Sequence, residues 1–166
     1  GHRVPFIARW PAAVPAGTRT DQLVCLTDLL ATAAALLDEP LADNEGEDSF
    51  SMLPTLKDPQ TESPRTSCVH HSINGSFAIR AGDWKLCFCP DSGGWSEPRP
   101  NRKRAEALPP RQLYDLSSDL GEQMNLVAAK PAVVAKLEQQ LKQLVGSGRS
   151  TPGESQQNDV AVRWDR

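Results

Sequence analysis

The chain opens on a nearly continuous apolar run. Val4 to Trp10 carries apolar residues on both faces between Arg3 and Pro11, the pattern of a strand buried in a sheet covered by helices. Pro11, Pro15 and Gly17 follow as a turn-rich connection. Thr20 as cap and Asp21 in the first turn predict a helix start. Leu23, Leu26, Leu30, Ala33 and Leu37 then recur at spacings of three and four, an amphipathic stripe to be laid against the sheet. Asp28 is expected on the solvated side of that helix. Residues 1–38 therefore read as one strand-helix unit, the end of an α/β domain.

Residues 39–66 change character. Pro40, Pro54, Pro59 and Pro64 interrupt them, and Asp43, Glu45, Glu47 and Asp48 make them acidic. The carboxylate spacing does not match an EF-hand loop, so the reading is a solvated linker. A short helical turn is expected over Ser51–Leu56.

Residues 67–149 predict a small α+β subdomain, a four-stranded antiparallel sheet with one covering C-terminal helix. Ser67–Ile73 reads as a strand, Asn74-Gly75 supplies the hairpin turn, and Ser76–Arg80 returns. Ala81 to Asp83 turns the chain into a third strand, Trp84–Cys89. Gln112–Leu116 is the fourth. Between them, residues 90–111 form a polar excursion with Gly93-Gly94 and a basic cluster at Arg99, Arg102, Lys103 and Arg104. Pro131 marks a helix start. Val134, Leu137, Leu141, Leu144 and Val145 make its apolar stripe, Glu138 and Lys142 an i,i+4 pair, and Gly146 a stop. Residues 150–166 are a polar tail in which Val160, Val162 and Trp164 are the only docking candidates.

Charge and cysteine content narrow the chemistry. With 18 Lys and Arg against 21 Asp and Glu, the chain lacks the basic surface that phosphate backbones need, which argues against nucleic acid as a partner. No run approaches the roughly 20 apolar residues of a membrane-spanning helix. Cys25, Cys68, Cys87 and Cys89 do not form a disulfide framework. Cys87 and Cys89 point the same way on one strand, but zinc would need His70 or His71 as further ligands. Buried thiols are the simpler expectation. The spacing leaves open a bridge from Cys68 to Cys87 or Cys89 across adjacent strands.

Three ordered segments carry a family resemblance. The first eleven residues, Gly1-His-Arg-Val-Pro-Phe-Ile-Ala-Arg-Trp-Pro11, resemble a segment that reads G-x-R-x-P, an apolar strand and W-P. Asp21-Gln22 through Thr27-Asp28-Leu29, with Ala31-Thr32, resemble the helix that follows it. Gln112-Leu-Tyr-Asp-Leu116, with Asp119, Gly121-Glu122 and Asn125-Leu126, resembles L-Y-D-L-x-x-D-P-x-E-x-x-N-L, with Leu120 in place of the proline. Together they are similar to the C-terminal third of an arylsulfatase-type sulfatase, in the alkaline phosphatase superfamily.

The resemblance implies a parent enzyme that hydrolyses sulfate esters with a formylglycine made from a C/S-x-P-x-R motif. It also implies a calcium-type divalent cation held by Asp and Asn, and Lys and His groups on the sulfate. Such chemistry places cations around a tetrahedral anion and an aldehyde hydrate as nucleophile. None of those residues matches a position of this chain, so no catalytic or metal-ligating residue is assigned and no cofactor is expected within it. The nucleophile, the cation site and the lysine are expected upstream of Gly1, in an N-terminal catalytic domain that would be this segment's partner. The chain alone is expected to be inactive.

Within the chain the resemblance leaves a cleft-lining role. His70 and His71 can donate to a sulfate or a sugar hydroxyl, and on adjacent strand positions at most one of them faces the cleft. Trp95 in the glycine loop is the candidate sugar platform. Arg3 and His2 are weaker candidates at the cleft exit. Export to the periplasm or the cell exterior is implied by resemblance alone. Two other readings remain: the C-terminal part of a related phosphodiesterase or phosphonate hydrolase, and a free-standing carbohydrate- or partner-binding module. An orphan strand and helix would also favour self-association.

Overall fold

The structure is a computed structural model that describes residues 4–100 and 107–164. Gly1 to Arg3, and Arg102, Lys103 and Arg104 of the basic cluster, lie outside the described residues. The chain forms two compact units. One comprises residues 1–66 with 147–157, the other residues 67–146 with 158–166.

The first unit contains helix α1 (Asp28–Leu37) and the short helix α2 (Leu53–Lys57). Val4 to Trp10 is not a strand. Among the described residues no strand lies in this unit to form a ladder with it, and Val4 and Ile7 remain 60% and 88% exposed. A buried-strand pattern alone cannot make a strand without a neighbour.

Helix α1 starts at Asp28, not at Thr20. The backbone of residues 22–25 is committed elsewhere. The Cys25 N–H donates to Asp28 Oδ2 at 2.8 Å, Ser63 Oγ donates to the Leu23 carbonyl, and the Gln22 N–H donates to Thr20 Oγ1 at 3.3 Å. Asp28 is also buried, not solvated. The face of α1 turned into this unit carries Asp28 and Thr32, four residues apart, whereas Leu26, Leu30 and Leu37 of the leucine stripe stay exposed. The helix ends with Asp38 in the left-handed region (φ 57°), its N–H returning to the Ala34 carbonyl.

Residues 147–157 complete this unit. Ser150 and Thr151 donate their N–H groups to the Glu47 carbonyl at 3.1 and 3.0 Å. Arg149, nearly buried, reaches the Asp43 carboxylate at 3.0 Å and the carbonyls of Thr151, Pro152 and Glu154. The start of the polar tail is thus ordered against the acidic segment.

The second unit is a meander of four antiparallel strands in the order β1 (Ser67–His71), β2 (Phe77–Ala81), β3 (Trp84–Cys87) and β4 (Gln112–Asp115). Gly75 at φ +83° and Gly82 at φ +55° make the two tight turns. The register pairs Val69 with Ile79, Ile79 with Leu86 and Leu86 with Leu113. These residues share one sheet face, and helix α3 (Pro131–Ser147) covers it with Leu137 and Leu141. Ile79, Leu86, Leu113 and Leu141 are fully buried, each contributing about 1.5–3 kcal/mol. Val162 and Trp164 join this core, Trp164 meeting Phe88 edge-on at 5.4 Å, while Val160 is exposed. Glu138 is engaged by the Arg111 guanidinium, not by the expected Lys142. Among the described residues none of the four cysteines is in a disulfide. Strand β2 separates Cys68 from β3, so the strands proposed for a bridge are not adjacent.

Candidate functional site

The β1–β2 hairpin and the glycine loop that folds onto its tip form one edge of the second unit. Asn74 Oδ1 accepts the Ser76 N–H at 3.0 Å and the Ser72 and Ser76 hydroxyls at 2.6 and 2.7 Å, an Asx turn that shapes the tip. The Asn74 N–H donates to the Gly93 carbonyl at 3.3 Å. Gly93 has φ +62°, and a Cβ there would lie 2.5 Å from Ser72 Oγ. Only glycine fits so close to the hairpin. Asp91 Oδ1 receives the Gly93 N–H, and Ser92 Oγ the Gly94 N–H. Two residues beyond this anchor, Trp95 stands 81% exposed, and Ile73 at the hairpin tip is 70% exposed.

The two histidines point in opposite directions. His71 pairs with Phe77 across the hairpin and lies against its ring at 3.9 Å between centroids. His70 is on the other face, half-buried, with Nδ1 3.6 Å from Cys68 Sγ. The expected site residues are therefore distributed over the hairpin edge, one on each sheet face and one on the loop.

The sheet face opposite α3 is polar and partly closed. Lys85 is buried, and its ammonium meets Glu122 Oε2 at 2.6 Å. Glu122 sits at φ 55°, a conformation that non-glycine residues rarely adopt, so the turn holds the carboxylate in place over β3. Burial pushes the Cys87 thiol up to about 12, against the opposing pull of Lys85. Burial, with Cys87 next, pushes the Tyr114 phenol up to about 12. Burial also raises Cys89. Raised in this direction, the two thiols are weaker nucleophiles near neutrality than an ordinary cysteine. Among the described residues no group of three or more His, Cys, Asp or Glu side chains is arranged to hold a metal ion.

The L-Y-D-L-x-x-D-x-x-E-x-x-N-L segment is structural in its geometry. Asp115 Oδ1 and Asp119 Oδ2 receive turn amides, Ser117 for the first and Gln123 and Met124 for the second. Asn125 Oδ1 bridges the N–H groups of Leu113 and Val127. Leu126 N–H reaches the Leu113 carbonyl at 2.8 Å. The segment locks β4 to the turn that delivers Glu122.

The first unit has a broad groove of about 1160 Å³, lined by Val4, Phe6, Trp10, Val14, Met52 and Leu56 among others. Its walls come from the unladdered Val4–Trp10 segment.

Comparison with known proteins places this architecture. The chain is 34% identical to N-acetylgalactosamine-6-O-sulfatase from Bacteroides thetaiotaomicron over 145 residues, 86% of its length. The chain belongs to the sulfatase family. It is also 34% identical to human arylsulfatase A over 154 residues, 87% of the chain. A solved structure from a Bacteroides thetaiotaomicron study of glycosaminoglycan metabolism superposes with a TM-score of 0.67 at 32% identity, covering 84% of the chain and 28% of that protein. No family model matches the chain. The sulfatase segment spans 27% and 30% of the length of the two curated relatives and corresponds to a C-terminal part of such an enzyme. Sequence reasoning missed the Lys85–Glu122 and Asp28–Arg65 pairs. Neither pair had a signal in the sequence, where the leucine stripe put Asp28 on the solvated side of its helix.

Proposed function

We propose that the chain is the C-terminal buttress of a sulfate-ester hydrolase and forms one wall of its substrate cleft. The observation that carries the reading is the match over 86% of the chain to an enzyme named for removing 6-O-sulfate from N-acetylgalactosamine. A sulfated amino sugar is accordingly the substrate class. The nucleophile, a formylglycine, and a calcium-type cation belong to an N-terminal catalytic domain. This chain has no C/S-x-P-x-R motif, so catalysis does not start from its own residues. Its contribution is to hold the hairpin edge, with Trp95 open for stacking on a sugar face and His70 or His71 as a donor to an anionic or hydroxyl group. Export of the parent enzyme completes the reading. Among the described residues no helix is long and apolar enough to cross a membrane.

The test has two arms. The purified chain should turn over neither an aryl sulfate nor 6-sulfated N-acetylgalactosamine. In the full-length enzyme, Trp95→Ala should raise KM for the sugar substrate with little change in kcat, the mark of lost uniform binding. Turnover by the chain alone would overturn the buttress role. An unchanged KM in Trp95→Ala would remove Trp95 from the cleft.

A further inference from the structure

The hairpin tip holds a chemistry that neither the fold nor sulfate hydrolysis uses. We propose that Asn74 is a site of spontaneous deamidation and isomerisation, activated by the turn that holds it. Asparagine is among the chemically labile residues, and here it precedes a glycine, whose amide nitrogen no side chain shields.

The side-chain amide has a fixed orientation. A backbone N–H can only donate, so the atom facing the Ser76 N–H at 3.0 Å is Oδ1. The hydroxyls of Ser72 and Ser76 converge on the same oxygen at 2.6 and 2.7 Å. Among the described residues Nδ2 has no hydrogen-bond partner, and Asn74 is exposed. Three donors thus surround the carbonyl oxygen and the amino group faces water.

That is the arrangement an intramolecular acyl transfer needs. The Gly75 nitrogen attacks Asn74 Cγ, and the negative charge that develops falls on Oδ1, where the donors already point. The Cγ–Nδ2 bond then breaks. The proton lost from the Gly75 nitrogen leaves with Nδ2 as ammonia, and the product is a five-membered succinimide. Water opens the succinimide at either carbonyl and gives aspartate or isoaspartate at position 74. The attack must give up the hydrogen bond from the Gly75 N–H to the Ser72 carbonyl, 3.0 Å long. Both products add a negative charge at the tip. Isoaspartate also adds a methylene to the backbone, beside the Asn74 N–H that pins Gly93.

The experiment ages the full chain at mildly alkaline pH, folded and in urea, and quantifies aspartate and isoaspartate at position 74 by peptide mapping. The expected result is a folded rate at least equal to the unfolded rate. A slower folded rate overturns the proposal, because the hairpin then protects the amide. Ser76→Ala should slow the folded reaction about tenfold, the scale of one hydrogen bond, and leave the urea rate unchanged. Ser76→Thr, which keeps a hydroxyl, should restore it. Circular dichroism checks that each variant is folded, and an unchanged rate in folded Ser76→Ala overturns the role of the donors.

Discussion

Asp28 and Arg65 form a buried ion pair that joins the start of helix α1 to the segment leading out of the first unit. Arg65 Nε donates to Asp28 Oδ2 at 2.9 Å and Nη2 reaches Oδ1. The carboxylate also receives the N–H groups of Cys25 and Phe50. Phe50 lies under the guanidinium at 4.8 Å. Both side chains are almost fully buried, so removing one partner leaves a buried charge without its counter-ion. Asp28→Ala should destabilise the first unit by about 3–5 kcal/mol. Arg65→Lys should recover only part of that, because an ammonium cannot reproduce the two-pronged geometry. Urea unfolding followed by circular dichroism checks both values.

The Lys85–Glu122 pair makes a similar claim on the second unit at a smaller cost. Glu122 is partly exposed, so water can solvate it once the lysine is gone. Lys85→Ala should cost about 2–3 kcal/mol. Glu122→Gly should cost less than Glu122→Ala, because glycine relieves the strain at φ 55°. A reversal of that order in urea melts would show that the backbone at residue 122 carries no such strain.

Alkaline pH should weaken the second unit. Cys87 is raised from 9.0, and Tyr114 from 10.0, each to about 12. Between those values the folded protein keeps protons that the unfolded chain has lost, so stability falls as pH rises. The fall should begin near pH 9 and continue toward pH 12. It should be shallower in Cys87→Ala. Denaturation midpoints measured from pH 7 to 11 provide the check, and a flat profile would contradict the burial of these groups.

The exposed apolar residues of the first unit bear on association. Ile7, Leu26 and Leu37 are 88%, 69% and 73% exposed, more apolar surface than single scattered residues leave. The isolated chain should self-associate as its concentration rises. Replacing Ile7 and Leu26 by Ser should reduce this. Light scattering that reports a monomer at every concentration would rule it out.

The sequence was most informative where each strand carried its own partner. Alternation through Val69, Ile79, Leu86 and Leu113, with glycines at 75 and 82, specified the meander because hairpin turns fix both neighbour and register. The Val4–Trp10 run had the composition of a strand without a neighbour in the same unit. Composition cannot supply a ladder. Asp28 was misplaced for a related reason. Helical periodicity identifies a face but not what meets it, and here Arg65, 37 residues on, makes the charged face the buried one. The site was less legible than the fold. His70 and His71 alternate as strand geometry requires, yet the anchoring of the Trp95 loop depends on a close approach of Gly93 to Ser72 that no short motif announces.

The return of residues 147–157 to the first unit gives that unit an order of assembly. Synthesis runs from the N-terminus, so Asp43 and Glu47 emerge about a hundred residues before Arg149 and Thr151, and the hairpin sheet has local contacts available in the interval. A chain stopped after Gly146 would keep every strand of the meander and lose the closure of the unit at the opposite end of the sequence. Damage to the tail would then be felt first around Asp43.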